Sequence, residues 1–192
     1  MFNPLPPIRH RLAFKLILTV GVVLLVSMSV WAFVNIGYQK RKAMDNIVAG
    51  MDRLTSTILL GTHYAMMLNS RDDINQIITN IGRQKEIEKI RLYNKAGQIK
   101  FSNEIKEVEA VTPIEAAACA ICHRSEPPLI DLNLNARIRI FNAPDGHRLL
   151  GIISPIRNEP GCATAQCHFH PEDKQILGAL DLVVSLAAAD KE

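Results

Sequence analysis

The sequence is poor in aromatic residues and in net charge. Only 5% of its 192 residues are aromatic, and the formal net charge is +3 with a pI of about 8.7. The basic residues are spread along the chain, whereas nucleic-acid-binding domains gather them into a stripe with interleaved aromatic residues. Nucleic acid is therefore not an expected partner.

The chain also lacks the short motifs of common catalytic sites. It contains no G-x-S-x-G, no H-E-x-x-H and no phosphate-binding loop. We therefore do not expect an enzyme, and any output kinase activity would lie beyond residue 192.

Cysteine is absent from the first 118 residues and then occurs as two close pairs, each followed at once by a histidine. The first pair, in the run Cys119-Ala-Ile-Cys122-His123, has the C-x-x-C-H pattern of c-type haem attachment. A covalent haem needs two thiols to add across its two vinyl groups and an imidazole on the same side to bind the iron. Within one helical turn, Cys119 and Cys122 would share a face and His123 would follow them directly.

The second pair has four intervening residues, in the run Cys162-Ala-Thr-Ala-Gln-Cys167-His168. The same chemistry is possible if the longer insert bulges away from the porphyrin edge. The two motifs together predict two covalent haem c groups, with His123 and His168 as the proximal iron ligands.

Three alternatives to haem use the same thiols. Two close cysteine pairs are what a Cys₄ zinc site needs, an even count suits two disulfides, and C-x-x-C occurs in thioredoxin-like redox pairs, although no βαβ unit surrounds either motif here. Neither zinc nor disulfides would require a histidine after both pairs, so covalent haem is the preferred interpretation.

The distal iron ligands are less constrained. His170 is too close to His168 to cross the same porphyrin, and we expect it to bind the haem attached at Cys119 and Cys122. His63 and Met67 lie one turn apart on a helix and are candidates for a haem packed against it, although methionines at this spacing also serve as core fillers. His147, beside a turn, is expected to be solvent exposed. Bis-histidine ligation gives a low-potential carrier, methionine raises the potential, and an open position would admit a gas.

Residues 16–34 form an apolar run without a charge, which is about the ~20 residues that cross a bilayer as a helix. The run is longer than a signal-peptide core, and no A-x-A cleavage site follows it. Flanking basic residues are balanced, so haem attachment, which occurs outside the cytoplasmic membrane, sets the orientation. We predict a cytoplasmic segment 1–15, a single inner-membrane span 16–36, a long membrane-proximal helix 37–69 and a periplasmic domain 70–192.

Two apolar stripes mark that long helix. An a/d seam runs from Met44 to Leu68 through Ile47, Met51, Leu54, Ile58, Gly61 and Ala65, and a second stripe comprises Leu59, Leu60, His63, Met66 and Met67. One stripe could pair two protomers while the other packs on its own domain, or both could be core. An S-x-x-D capping box at Ser70 and Asp73 predicts a second helix over 71–83, and Thr112, Pro113 and Glu115 predict a helix from about 113 into Cys119.

The period then changes to that of strands. Two hairpins are predicted, 89–94 with 98–102 and 136–142 with 147–156, and the run 176–186 reads as a central strand. Two helices followed by about five antiparallel strands describe an α+β domain of PAS or Cache type. The cysteine motifs lie in connections between strands, as loop insertions.

The chain resembles the periplasmic haem-containing sensor regions of bacterial transmembrane histidine kinases and chemoreceptors. The resemblance rests on the anchor, on RDDINQIITNIG and IEKIRLYNKAGQIKFSN, on CAICH, and most specifically on the paired motifs ending in His168-Phe169-His170-Pro171, and it covers residues 45–192. It implies a PAS-like fold and a homodimer. In such proteins a second span and output module follow, so we expect SLAAADKE to precede one in a longer receptor.

Two functions follow as hypotheses. The first is a redox or small-ligand sensor input domain whose haem state shifts the long helix. The second is an electron-transfer cytochrome, anchored to pass electrons between a membrane quinol pool and a periplasmic redox partner protein.

Overall fold

The computed structural model describes residues 7–164, 170–171 and 173–191, which fall into two compact units, Met1–Asn46 and Ile47–Glu192. Its α-helices are α1 (Pro7–Met67), α2 (Arg71–Gly82), α3 (Ala120–His123) and α4 (Pro160–Thr164). Its strands are β1 (Ile87–Asn94), β2 (Ile99–Ser102), β3 (Ile138–Asn142), β4 (Arg148–Arg157) and β5 (Ile176–Ser185). The predicted α+β class is confirmed.

The described residues of the N-terminal unit form the first part of α1. By length and composition, α1 could serve as a single membrane span, and it is the one such helix in the described residues. Its large apolar side chains are exposed, with Phe33 reaching 83%. The predicted apolar run is therefore part of a long helix, and that helix continues as far as Met67.

The five strands form one antiparallel sheet in the order β2-β1-β5-β4-β3. Both predicted hairpins and the central place of the last strand are confirmed. The hairpin turns need glycine, because Gly97 and Gly146 have φ of 72° and 91°, a left-handed region that side chains disfavour. The sheet is thus assembled around β5, and the cysteine segments lie between β2 and β3 and between β4 and β5.

The last six turns of α1 pack on one face of the sheet. Asp52 accepts a hydrogen bond from Arg137 at 2.6 Å, and the hydroxyl of Ser154 on β4 lies 3.4 Å from that of Thr55. Directly paired residues share a face of a sheet, and Ser154 pairs with Leu180, which pairs with Leu92. All three therefore lie on the α1 side.

The buried stripe of α1 differs from the predicted seam. It comprises Val48, Met51, Thr55, Ile58, Thr62 and Ala65. Met51, Ile58 and Ala65 belong to the predicted seam, but Gly61 and Leu68 are exposed. Thr55 and Thr62 can be buried in this stripe because a threonine hydroxyl can bond within its own helix. Thr62, for example, donates to the Ile58 carbonyl at 2.8 Å.

A network of charged residues lies on the opposite face of the sheet. Asp181 on β5 is fully buried and accepts two hydrogen bonds from Arg139 of β3, at 2.8 and 2.9 Å. Arg91 of β1 lies 3.6 Å from the same carboxylate and donates to both oxygens of Glu107. A buried carboxylate is stable only when it is paired in this way.

Two local predictions need correction. The helix α2 begins at Arg71 as expected, but the Ser70 hydroxyl donates to the Asp73 carboxylate at 2.6 Å and makes no bond to the backbone. The helix predicted from about 113 into Cys119 is wrong, because residues 113–119 form turns. The backbone of Thr112 instead donates to the Gly97 carbonyl at 2.8 Å, which extends the sheet edge where the helix would have started.

Candidate haem-attachment sites

The first motif occupies a single helical turn. The backbone amides of Cys122 and His123 both donate to the Cys119 carbonyl, each at 3.1 Å, and α3 ends at His123. This turn brings two thiols and one imidazole to the wall of one cavity of about 440 Å³. The volume lies in the ~300–1,000 Å³ range of cofactor and ligand pockets.

This first cavity lies on the sheet face opposite α1. Its floor includes Ile153, Pro155 and Ala179, of which Ile153 pairs with Asp181 across the sheet. A wall from Pro127 to Ile130 adds further apolar surface, while Lys95, Asp173 and Lys174 also line the cavity, with Lys174 Nζ 3.2 Å from the Asp173 carboxylate. The two thiols, the imidazole, the largely apolar walls and the ammonium group of Lys95 fit a haem, which is an apolar macrocycle that carries two carboxylates.

Charges close to the first motif act on its thiols. Burial raises the pKa of both Cys119 and Cys122. The Asp181 carboxylate raises the pKa of Cys119 further, while the Arg139 guanidinium opposes it. The buried ion pair of Asp181 with Arg139 is therefore close enough to the first motif to influence the ionisation of Cys119.

A second cavity, of about 300 Å³, lies on the α1 face of the sheet. Its lining brings together Cys162 from α4, His170, and three residues of α1, namely His63, Met66 and Met67. Two other members of the second motif, Cys167 and His168, lie outside the described residues. Of the predicted site residues that are described, the structure thus gathers one group around Cys119 and another around Cys162.

The predicted distal ligands all fall in the second cavity. His63 and Met67 line it as expected for residues facing a haem packed on α1. His170 also lines it, and its backbone amide donates to the Cys162 carbonyl at 3.1 Å. This placement puts His170 with the second motif, whereas the sequence had suggested the haem at Cys119 and Cys122.

Contacts tie α1 to the second motif. A β-carbon on Gly161 would lie 3.2 Å from the Met67 sulfur, so the thioether packs directly on the residue before Cys162. His63 Nε2 lies 3.8 Å from a carboxylate oxygen of Glu159. The end of α1 and the start of the Cys162 segment are therefore neighbours.

His147 does not behave as a simple exposed residue. Its side chain is 26% exposed and lies between Asp145, which contacts Nδ1, and Glu88, whose carboxylate is 3.5 Å from Nε2. The imidazole lowers the pKa of Asp145 through their hydrogen bond. These contacts give His147 a role in the hairpin turn, and neither cavity has it in its described lining.

The two motifs do not converge on one site. Cys119 and Cys122 line the first cavity, Cys162 lines the second, and all three are free thiols. Within the described ranges no cluster of three or more His, Cys, Asp or Glu residues is arranged to hold a metal ion. A single Cys₄ zinc site built from both motifs is therefore disfavoured by their placement.

Sequence reasoning missed Tyr93 and Asn94, which line both cavities. Nothing in the local pattern of β1 distinguishes them, because their position depends on the sheet and on both loop insertions.

No protein-family model matches this chain, and no curated protein matches it.

Proposed function

We propose that this chain is a membrane-anchored dihaem c-type cytochrome whose folded domain is the redox or small-ligand sensor input of a signalling receptor. The proposal includes the inner-membrane location with a periplasmic, PAS-like domain, as the family resemblance implies. It is supported by the apolar helix and by the five-stranded antiparallel sheet with its last strand at the centre.

The observation that carries the haem assignment is the convergence of Cys119, Cys122 and His123 on one apolar cavity. Cys162 contributes the corresponding thiol to the second cavity. The bound haems would supply a one-electron couple and an iron able to take an axial ligand. His123 would hold the iron in the first cavity, and His63 or Met67 would offer a distal ligand in the second.

The sensor role is favoured over simple conduction by the part that α1 plays in the second cavity. Three residues of this helix line it, and Met67 packs against Gly161 beside Cys162. A change of oxidation or ligation state there would act directly on the helix that also contains the apolar span. A switch needs such a differential contact between its two states.

Covalent attachment is tested by producing the full chain together with a c-type haem maturation system. Intact-mass measurement should show two haem additions. The double variant Cys119→Ser with Cys122→Ser and the double variant Cys162→Ser with Cys167→Ser should each lose one addition. A chain that stays haem-free while a control cytochrome matures in the same cells would refute the proposal.

The sensor role is tested by hydrogen exchange in the oxidised and reduced holoprotein. We expect reduction to change amide exchange over residues 58–67 of α1 in the wild type, and this change should be lost in His63→Ala or in Met67→Leu. Leu60→Ala is the matched control, because Leu60 is on the same helix and 76% exposed. Identical exchange in both redox states, together with fast reduction by a quinol, would favour the electron-transfer cytochrome.

A further inference from the structure

The two cavities share a wall. Tyr93 and Asn94, at the end of β1, line both of them. The first cavity lies on the face of the sheet that carries Ala179, which pairs with Tyr93, and Pro155, which pairs with Ala179. The second lies on the α1 face, where Leu92 is part of its lining. The cavities therefore lie on opposite faces of the same sheet at the same end of β1.

The wall is one layer of backbone. Asn94 pairs with Gly178 of β5, and a β-carbon on Gly178 would stand only 2.1 Å from the Tyr93 carbonyl oxygen. No side chain can be accommodated there, since real β-carbons do not approach an oxygen so closely. A register shift in the pairing of β1 with β2 falls between Leu92 and Tyr93, at the point where the two cavities meet. The absence of a side chain at Gly178 and the register shift at Tyr93 together leave one layer of backbone between the two cavities.

We propose that the two sites are redox-coupled within one protomer across this wall at Tyr93 and Asn94, so that the oxidation state of one site sets the reduction potential of the other. The inference rests on the proposed function, because it requires a haem in each cavity. Tyr93 is well suited to the position: the residue is only 6% exposed, so it keeps water out of this part of the wall. Low-dielectric surroundings also strengthen the interaction between charges on either side of the wall.

The coupling would involve one-electron changes only. A bound haem at either site would gain or lose one electron, and no bond would form or break. A quinol or a small redox protein would load the first electron. Because each added electron places a negative charge close to the second site, reduction of one haem should make reduction of the other less favourable.

The first experiment is a potentiometric titration of the full holoprotein in detergent, followed by the absorption of the reduced haems. The two single-site double variants, Cys119→Ser with Cys122→Ser and Cys162→Ser with Cys167→Ser, give the curve of each haem alone. We expect the second reduction step of the wild type to lie about tenfold, or about 59 mV, below the value in the matching single-site variant. A wild-type curve equal to the sum of the two single-site curves would overturn the proposal.

A second series remains informative where a single-site variant fails to fold. Tyr93→Leu should shift the midpoint potentials of both haems, and Tyr93→Phe should shift both by less. Ile130→Val, in the lining of the first cavity, and Leu177→Val, in that of the second, should each shift one haem. If Tyr93→Leu moves one midpoint alone, the wall is not shared and the inference fails.

The two levels of failure are distinguishable. Absence of haem from either motif, measured by intact mass, would overturn the proposed function and this inference with it. Two haems that titrate independently would leave the proposed function standing and remove the inference alone.

Discussion

The thioether of Met67 packs on Gly161: a β-carbon at position 161 would lie 3.2 Å from the Met67 sulfur. The contact joins the last residue of α1 to the residue before Cys162. The 3.2 Å distance that an added β-carbon would have is shorter than ordinary van der Waals separation. The added methyl group must therefore displace the flexible methionine by a few tenths of an ångström. This makes position 161 a sensitive probe of the connection between α1 and the second cavity.

Gly161→Ala should therefore alter the second haem more than it alters stability. Alanine favours the helical backbone of α4 by up to about 1 kcal/mol, which offsets the displacement of Met67. We expect a shift in the absorption of the haem at Cys162 and little change in thermal unfolding. Gly61→Ala is the control, because nothing lies within 4 Å of its β-carbon position. It should stabilise the protein by about 0.5–1 kcal/mol and leave both spectra unchanged.

Replacing an axial ligand should open one iron and leave the other unaffected. Of His63→Ala and Met67→Leu, the variant that removes the true ligand of the second haem should lose its low-spin spectrum and gain carbon monoxide binding. The haem at Cys119 and Cys122 should be unchanged, since His63 and Met67 line the other cavity. If both variants keep the wild-type spectrum, α1 does not ligate the iron.

The Glu107 ion pairs should make stability depend on pH. Hydrogen bonds from Arg91 and Lys89 lower the pKa of Glu107 from its ordinary 4.5 to about 2. A carboxyl group with a depressed folded-state pKa stabilises the fold above its unfolded pKa, and this contribution is lost as the pH falls from about 4.5 toward 2.

Glu107→Gln should accordingly be less stable than the wild type at pH 7, and the difference should shrink over that acidic window. Thermal unfolding measured from pH 7 to pH 2 checks this. Glu104→Gln, at a nearby exposed carboxylate, should follow the wild-type pH profile. A difference that stays constant with pH would mean that Glu107 acts through packing.

Arg137 connects α1 with the sheet through hydrogen bonds to Asp52 at 2.6 Å and to Ser154 at 2.9 Å. Arg137→Met should cost about 1–2 kcal/mol of unfolding free energy, because it leaves Asp52 and the buried Ser154 hydroxyl without these bonds. Arg148→Met breaks an ion pair with Asp190 in which the arginine is much more exposed, 46% against 17% for Arg137, so a smaller loss is expected. Equal losses of unfolding free energy in the two variants would show that the contact of Arg137 with α1 stabilises the fold no more than the Arg148 ion pair does.

Much of the fold could be predicted because its signals are local. Alternation and turn glycines gave both hairpins to within two residues, and the apolar run of β5 marked it as a central strand. The helix predicted from Pro113 fails for a nonlocal reason: Thr112 pairs with Gly97 of the first hairpin, a partner 15 positions away that no local pattern reveals.

The candidate site divides in the same way. The Cys119 to His123 turn could be predicted because one helical turn fixes the geometry of all three groups. The cavity that His170 lines could not be predicted, because this cavity depends on the end of α1 and on the paired strands beneath it.

The sequence by itself determined the two cysteine–histidine motifs, the apolar run, the strands and their turns, because each depends on residues within a few positions of one another. Only the tertiary structure decided which stripe of α1 is buried, where Thr55 and Thr62 replace expected apolar residues by bonding their own helix. It also decided that Cys119 and Cys162 line cavities on opposite faces of the sheet, with Tyr93 in the lining of both. Such relations arise from packing between distant segments, and a local periodicity contains no information about them.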